Sequence, residues 1–171
     1  MIDLDLPVPM ELALAIARRE SEFDTYVTSG AGAMGLMQLM PGTATEMANA
    51  LSESNHSRAR LYADWAYNAR LGSAYLARMA RLFDGNIVMM SAAYNAGPGR
   101  PPRWMSRFGD PRGGAIDMID WIEHVPFSET RNYIMRVAES LPVYRARLGL
   151  EPHPVPFSEE LSGNTFQSNS D

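Results

Sequence analysis

Residues 15–23 read Ala-Ile-Ala-Arg-Arg-Glu-Ser-Glu-Phe and end an apolar helix on a carboxylate. Leu12, Ile16 and Glu20 are spaced four residues apart, so the three side chains share one face of the predicted helix. This spacing predicts that Glu20 extends a buried stripe and leaves bulk water. Glu22 follows about 200° further around the helix, at about 100° per residue, and is predicted to face solvent.

The predicted position of Glu20 has two interpretations. Burial penalises the charged form of a carboxyl group, and a carboxyl group that stays protonated near neutral pH is what a general acid requires. The alternative is a structural carboxylate that pairs with an arginine. This stretch by itself favours neither interpretation.

Composition indicates a globular protein with room for one domain and a real core. The chain has 171 residues, of which 46% are hydrophobic and 20% are charged. All 15 basic residues are arginine, which we attribute to genomic base composition. The chain contains no cysteine, so disulfides and thiol catalysis are excluded.

Charge and hydropathy exclude two kinds of partner. The net charge is −5, but residues 151–171 contain four acids and no arginine, so residues 1–150 are nearly neutral. A nearly neutral body without a basic run argues against nucleic acid as the main partner. No apolar run approaches about 18 residues, which argues against a membrane span, and residues 1–7 do not have the pattern of a signal peptide.

Periodicity predicts a mainly helical chain with few strand signals. Pro126 breaks the chain before a final helix, which we expect Ser128 to cap and Pro142 to kink. The predicted domain spans 1–149, and the proline, serine and acid content of 150–171 predicts a surface tail, with disorder as one outcome. The predicted helices are 9–21, 41–51, 65–83 (Asp64 as its cap, with Tyr67, Leu71, Tyr75, Met79 and Leu82 along one face), 86–95, 116–124 and 128–148, with a short helical turn near Trp104.

Several common kinds of site are missing from the sequence. No phosphate-binding glycine loop and no Gly-x-Ser-x-Gly motif occur. His56, His124 and His153 lie in different predicted elements without the spacing of metal ligands. We therefore expect no metal and no cofactor.

Two polar stretches follow apolar helices. Residues 91–99 place Tyr94 and Asn95 at the end of a small-residue helix, where the tyrosine could stack on a sugar ring or the pair could form an ordinary helix end. Residues 126–133 place Glu129 in the first turn of a helix, where the helix dipole favours a carboxylate whatever its function. Neither stretch decides its own role.

Four motifs in order connect these stretches. They are Glu20-Ser21, Gly-Leu-Met-Gln-Leu-Met-Pro-Gly-Thr-Ala at 35–44, Ala-Tyr-Asn-Ala-Gly-Pro-Gly at 93–99 and Ile-Glu-His-Val-Pro-Phe-Ser-Glu-Thr-Arg at 122–131. Together they resemble the catalytic domain of soluble lytic transglycosylases, the goose-lysozyme-like enzymes of glycoside hydrolase family 23. The resemblance covers about residues 7–148 and rests on all four motifs together.

The resemblance implies a mainly α, lysozyme-like fold with two lobes, little or no sheet and a glycan groove between the lobes. It implies cleavage of the β-1,4 bond between N-acetylmuramic acid and N-acetylglucosamine in peptidoglycan, with a 1,6-anhydromuramoyl product. Glu20 would act as the acid and then as the base, with the substrate's 2-acetamido group stabilising the cationic centre. This scheme departs from the usual two-carboxylate mechanism.

The resemblance also implies substrate-binding roles for further residues. Ser29 and Gln38 resemble groove residues that hydrogen-bond the sugars, and Met40 resembles an apolar groove wall. The implied site is completed by four further residues from the second half of the chain: Tyr94 near the acid, Asn95 beside it, Glu129 as a groove carboxylate and Tyr133 on the same wall.

The resemblance further implies peptidoglycan glycan strands as the partner, a monomer, and a periplasmic or cell-envelope location. Full enzymes of this family carry a signal peptide and a long helical domain ahead of the catalytic domain, and we expect this chain to be an excised C-terminal domain. Two alternatives remain: a hydrolytic muramidase on the same fold, and a peptidoglycan-binding module without catalysis.

Overall fold

The computed structural model describes residues 8–163, and helices dominate this part of the chain. The mainly helical fold predicted from the sequence is confirmed. Within the described residues, extended structure is confined to the isolated bridges Thr28↔Met34 and Met34↔Leu39. The α-helices of residues 8–163 are α1 (Met10–Ser21), α2 (Pro41–Ala50), α3 (Arg58–Ala63), α4 (Trp65–Leu82), α5 (Ile87–Ala96), α6 (Arg100–Phe108), α7 (Met118–His124), α8 (Ser128–Arg147) and α9 (Phe157–Ser162).

The chain divides into two compact units, the first ending at Arg78 and the second beginning at Met79. This boundary falls inside α4. The sequence offered no signal for it, because α4 is one continuous amphipathic helix.

The first unit is built from α1, α2, α3 and most of α4. Leu12 and Ile16 of α1 are fully buried, as their four-residue spacing predicts. In α4 the side chains of Tyr67, Leu71 and Tyr75 are buried along one face. These apolar faces form the core that supports the loop between α1 and α2.

The second unit is organised around α5. Every residue of 87–93 is buried, and the Asn86 side chain caps the helix by accepting from the Met89 N–H at 3.0 Å. Helices α6, α8 and α9 all contact α5. A helix that is apolar on all sides lies at the centre of its unit, since no face of it tolerates water.

Several local predictions differ from the structure. Ser128 is the first residue of α8, while Phe127 occupies the cap position without a side-chain hydrogen bond. Helix α8 includes Pro142 within its range, and the predicted kink at this residue stays a prediction. Leu82 was predicted to lie on the buried face of α4 but is 53% exposed, because α4 ends at this residue and the chain turns away.

Two further elements were not predicted. Helix α3 follows a polar stretch and is capped by Ser57, whose hydroxyl accepts from the Arg60 N–H at 3.1 Å. Helix α9 lies where a surface tail was expected, yet Leu161 and Glu160 are buried, and Asn86 Nδ2 donates to the Leu161 carbonyl at 2.9 Å. The tail prediction is therefore wrong for 157–162, and its last part, 164–171, lies outside the described residues.

No helix within residues 8–163 combines the length and apolar character needed to span a bilayer.

Candidate active site

Glu20 lies in the last turn of α1 and is half-buried. The buried stripe of Leu12 and Ile16 leads to it, and α1 ends one residue later. The side chain of Glu22 is 81% exposed and forms an ion pair with Arg18 at 3.3 Å. The predicted contrast between an inward Glu20 and an outward Glu22 is therefore present, although the burial of Glu20 is partial.

The end of α1 is bonded to the loop that precedes α2. The Ser21 hydroxyl donates to the Leu36 carbonyl at 2.7 Å and lies within hydrogen-bond distance of the Ala17 carbonyl, at 3.2 Å. Ser21 is buried, and its contact with the Leu36 carbonyl is partly shielded from water. The residue after Glu20 thus fixes the distance between Glu20 and the 34–40 loop.

Asn68 of α4 supports the same loop from below and is 1% exposed. Its Oδ1 accepts from the Met37 N–H at 2.9 Å, and its Nδ2 donates to the carbonyls of Met34 at 2.8 Å and Leu61 at 3.1 Å. A buried carboxamide with three bonds to backbone groups is a strong constraint on loop conformation. Gly35 makes the close approach possible, since a Cβ there would lie 2.4 Å from Asn68 Nδ2.

The side chain of Ser29 is half-buried in the loop after α1. Its hydroxyl oxygen accepts from the Ala33 N–H at 3.0 Å, and the two residues also pair through their backbones at 2.9 Å. The hydroxyl proton is not used in these contacts, so Ser29 can still donate one hydrogen bond to a ligand.

Gln38 and Met40 lie at the end of the supported loop. Gln38 has a φ of 45°, and its Nε2 donates to the carbonyls of Val27 at 3.1 Å and Gly35 at 2.9 Å. The amide nitrogen therefore braces the loop, which leaves the carbonyl Oε1 for a ligand donor. Met40 precedes α2 and is 45% exposed, as a methionine available to an apolar ligand surface would be.

In the second unit, the candidate residues Asn95 and Glu129 lie on α5 and α8, which pack together. Thr130 is buried, and its hydroxyl donates to Asn95 Oδ1 at 2.7 Å. Glu129 is exposed beside Thr130 in the first turn of α8, where the helix dipole stabilises its negative charge. Tyr94 is half-buried next to Asn95. The structure thus brings Tyr94, Asn95 and Glu129 onto the contacting ends of two helices.

Tyr133 does not share this exposure. It is 3% exposed and belongs to the buried face of α8. The expectation that it lines a groove wall is not supported by this position, because a core side chain offers almost no surface to a glycan. Tyr133 lies one helical turn after Glu129, and this spacing suggested that both side chains line the same wall. In the structure, Tyr133 instead packs into the core of the second unit.

The sequence did not identify Ser21, Asn68 and Thr130 as residues that hold the candidate site in place through hydrogen bonds. The available signal was a polar residue on a buried face: Asn68 lies one position after Tyr67 and three before Leu71 on the apolar face of α4. Their partners are backbone groups or side chains distant in sequence, which periodicity does not identify.

Two groups outside the set of candidate residues have pKa values shifted by their surroundings. Burial raises the pKa of Tyr67 above its ordinary value, against the opposing effect of nearby Arg60. Hydrogen bonds from Arg112 lower the pKa of Asp110. Among residues 8–163, no three His, Cys, Asp or Glu side chains are grouped so that they could bind a metal ion.

Comparison with known proteins identifies the family. The model of the transglycosylase SLT domain matches residues 5–115. The soluble lytic murein transglycosylase of Escherichia coli is 40% identical over 137 residues, which cover 80% of this chain and 21% of that protein. The chain therefore belongs to the transglycosylase SLT domain family, and it spans about a fifth of the length of this curated relative.

Solved structures agree with this assignment. The 70 kDa soluble lytic transglycosylase from Escherichia coli superposes with a TM-score of 0.78 at 40% identity, covering 85% of this chain and 23% of that one. An inactive glutamate-to-glutamine mutant of lytic transglycosylase Slt from Pseudomonas aeruginosa gives a TM-score of 0.78 at 38% identity, covering 86% and 23%. Both support the lysozyme-like fold expected from the motifs.

Proposed function

We propose that this domain is a peptidoglycan lytic transglycosylase that cleaves the β-1,4 bond between N-acetylmuramic acid and N-acetylglucosamine. The observation that carries the proposal is the placement of Glu20, a half-buried carboxyl group at the end of an apolar helix, bonded through the next residue to a rigid loop. The similarity to a soluble lytic murein transglycosylase supports murein as the substrate.

In the proposed reaction Glu20 first protonates the glycosidic oxygen as the bond to the muramic acid C1 breaks. The C6 hydroxyl of the same sugar then attacks C1, and the Glu20 carboxylate accepts the hydroxyl proton. The new C1–O6 bond closes a 1,6-anhydro ring, so no water is consumed and Glu20 ends in its starting protonation state. The substrate's 2-acetamido group stabilises the positive charge at C1.

One carboxylate is sufficient for this scheme. Glu22, the acid nearest to Glu20 in sequence, is exposed and paired with Arg18. The inactive glutamate-to-glutamine mutant of the Pseudomonas aeruginosa relative agrees with a reaction that depends on one glutamate.

Substrate contacts are proposed from the groups that remain available. Ser29 can donate through its hydroxyl, Gln38 can accept through Oε1, and Met40 presents an exposed apolar side chain. In the second unit Tyr94 and Glu129 would contact the glycan, while Asn95 is oriented by Thr130. We further propose a monomer that needs no cofactor and acts in the periplasm or elsewhere in the cell envelope, where peptidoglycan lies.

The test is mass spectrometry of muropeptides released from purified sacculi. Anhydromuramoyl ends, one water lighter than reducing ends, are expected for the wild type. Reducing ends would instead identify a hydrolytic muramidase. Absence of products together with binding to sacculi would identify a binding module.

Glu20→Gln is the decisive variant, with Glu22→Gln as its matched control two residues away. Glu20→Gln should abolish turnover while leaving sacculus binding within about twofold, since an amide keeps the shape of the carboxyl group but cannot donate or accept the catalytic proton. Glu22→Gln should retain wild-type turnover because its carboxylate is exposed. Turnover that survives Glu20→Gln would refute the assignment of the acid.

A further inference from the structure

Helix α6 presents three arginines on one exposed face. Arg100, Arg103 and Arg107 follow the spacing i, i+3, i+7, which places them within about 60° around the helix. All three residues are exposed, whereas Pro101 and Trp104 on the adjoining face are buried. We call Arg100, Arg103 and Arg107 the arginine face.

The arginine face has no carboxylate partner among residues 8–163. Arg100 lies over the Phe127 ring at 5.0 Å and Arg107 over the Phe108 ring at 5.2 Å, but neither forms an ion pair. Other arginines of the second unit form ion pairs, for example Arg112 with Asp110 at 2.8 Å. In a chain of net charge −5, three unpaired cations on one short helix are a local excess of positive charge.

The arginine face adjoins the candidate residues of the second unit. Helix α6 begins four residues after Ala96, at the end of the helix that carries Tyr94 and Asn95. Trp104 of α6 also packs edge-on against Phe127, with the two ring centroids 5.8 Å apart. Phe127 precedes Glu129 by two residues. The cations therefore begin beside the segments proposed to contact the glycan.

We propose that the arginine face binds the carboxylates of the peptide stems of peptidoglycan. This inference rests on the proposed function and adds a second part of the substrate to it. Arg100 and Arg107 are about 10 Å apart along the helix axis, at about 1.5 Å per residue, and this matches about three residues of extended peptide. Guanidinium groups bind carboxylates in a bidentate geometry, so a stem with several free carboxylates is the complementary partner.

The experiment uses two substrates: glycan strands that bear stem peptides, and the same strands stripped of stems by an amidase. The variant is Arg103→Ala combined with Arg107→Ala, which leaves Arg100 in place against Phe127. The ratio of kcat/KM on stem-bearing strands to that on stripped strands should fall about tenfold, mainly through KM, as two exposed charge pairs are lost. Stems whose carboxylates have been amidated should behave as stripped strands do.

The matched control removes two other exposed arginines, Arg81→Ala combined with Arg147→Ala, and should leave the ratio unchanged at the same net charge. Affinity for stem-bearing and stripped oligomers is measured in parallel in the Glu20→Gln background. Equal effects on both substrates, or no effect of the double variant on either measurement, would overturn the inference. A wild type inactive on both substrates would refute the proposed function, while the binding measurement would still test the arginine face.

Discussion

The hydroxyl of Ser21 donates to the carbonyl of Leu36 at 2.7 Å and thereby connects the helix that carries Glu20 to the loop that carries Gln38. The two residues are 15 positions apart in the chain. A general acid must be positioned to within fractions of an ångström of the oxygen that it protonates, so the support of its helix matters as much as the acid itself.

Replacing Ser21 by alanine should therefore lower turnover more than binding. The change removes the donor to Leu36 and leaves a partly buried carbonyl without that partner, which costs up to about 1–3 kcal/mol of unfolding free energy. We expect kcat to fall about tenfold with KM within about twofold, measured on soluble glycan strands. Ser140→Ala is the control, because the Ser140 hydroxyl donates within its own helix, to the Arg136 carbonyl at 2.7 Å. Equal losses in both variants would show that the Ser21 contact has no special role.

Asn68 should be the most sensitive polar residue of the first unit. Asn68→Ala removes three hydrogen bonds to backbone groups and should destabilise the domain by at least about 3 kcal/mol. Asn68→Asp should be more stable near pH 4 than at pH 7, because a protonated acid can donate to one of the two carbonyls and a carboxylate to neither. Denaturant unfolding across this pH range measures the effect. A pH-independent difference from the wild type would contradict the assigned donor role.

Gly35 is predicted to tolerate no side chain. Its φ is 75°, and an added Cβ would lie 2.4 Å from Asn68 Nδ2. Gly35→Ala should therefore lower the unfolding free energy by about 3 kcal/mol through backbone strain and overpacking. The control is Gly30→Ala, since a Cβ at Gly30 has no neighbour within 4 Å. Thermal unfolding of both variants gives the comparison, and equal midpoints would argue against the close approach.

The buried pair of Arg145 and Glu160 should determine whether α9 stays attached. Arg145 Nη2 donates to Glu160 Oε1, and the two residues are 3% and 0% exposed. Glu160→Ala leaves a buried guanidinium without its carboxylate and should cost about 3–5 kcal/mol. Arg145→Met combined with Glu160→Leu should cost less than Glu160→Ala, because no uncompensated charge remains. If the double variant is less stable than Glu160→Ala, the attraction between Arg145 and Glu160 exceeds the free energy needed to bury the two charges.

Asp110 should make a small contribution to stability that depends on pH. Hydrogen bonds from Arg112 lower its pKa, so the folded state binds the proton more weakly than the unfolded state. The contribution is present above the ordinary aspartate pKa of about 4 and is lost as pH falls through the lower folded value. Because the carboxylate is 42% exposed, solvent screening limits the effect to less than about 1 kcal/mol. Asp110→Asn should be less stable than the wild type at pH 7, and the difference in unfolding free energy should shrink as pH falls below about 4, as unfolding curves would show.

Much of the helical structure followed from the sequence because it depends on local spacing. Helix α1 was predicted from residue 9 to 21 and is observed as Met10–Ser21, and α2 and α5 end within a residue of their predicted limits. The four-residue spacing of Leu12 and Ile16 repeats once per helical turn, so a buried face is encoded without knowledge of any partner.

The chemistry of the site was predicted by a different route. Glu20 stood out on an apolar stripe, but its interpretation as an acid came from four ordered motifs rather than from periodicity. The family assignment now rests on the matched SLT domain model and on 40% identity to a soluble lytic murein transglycosylase. The roles of individual residues stay predictions.

Only the tertiary structure decided the contacts between residues distant in sequence. Asn68 reaches Met37 across 31 positions, and Thr130 reaches Asn95 across 35. Tyr133 turned out to be a core residue, and α9 replaced an expected surface tail because its Leu161 and Glu160 are buried in the second unit. Local pattern specifies which face of a helix is apolar, but the element that covers that face is selected by packing and polar pairing throughout the folded chain.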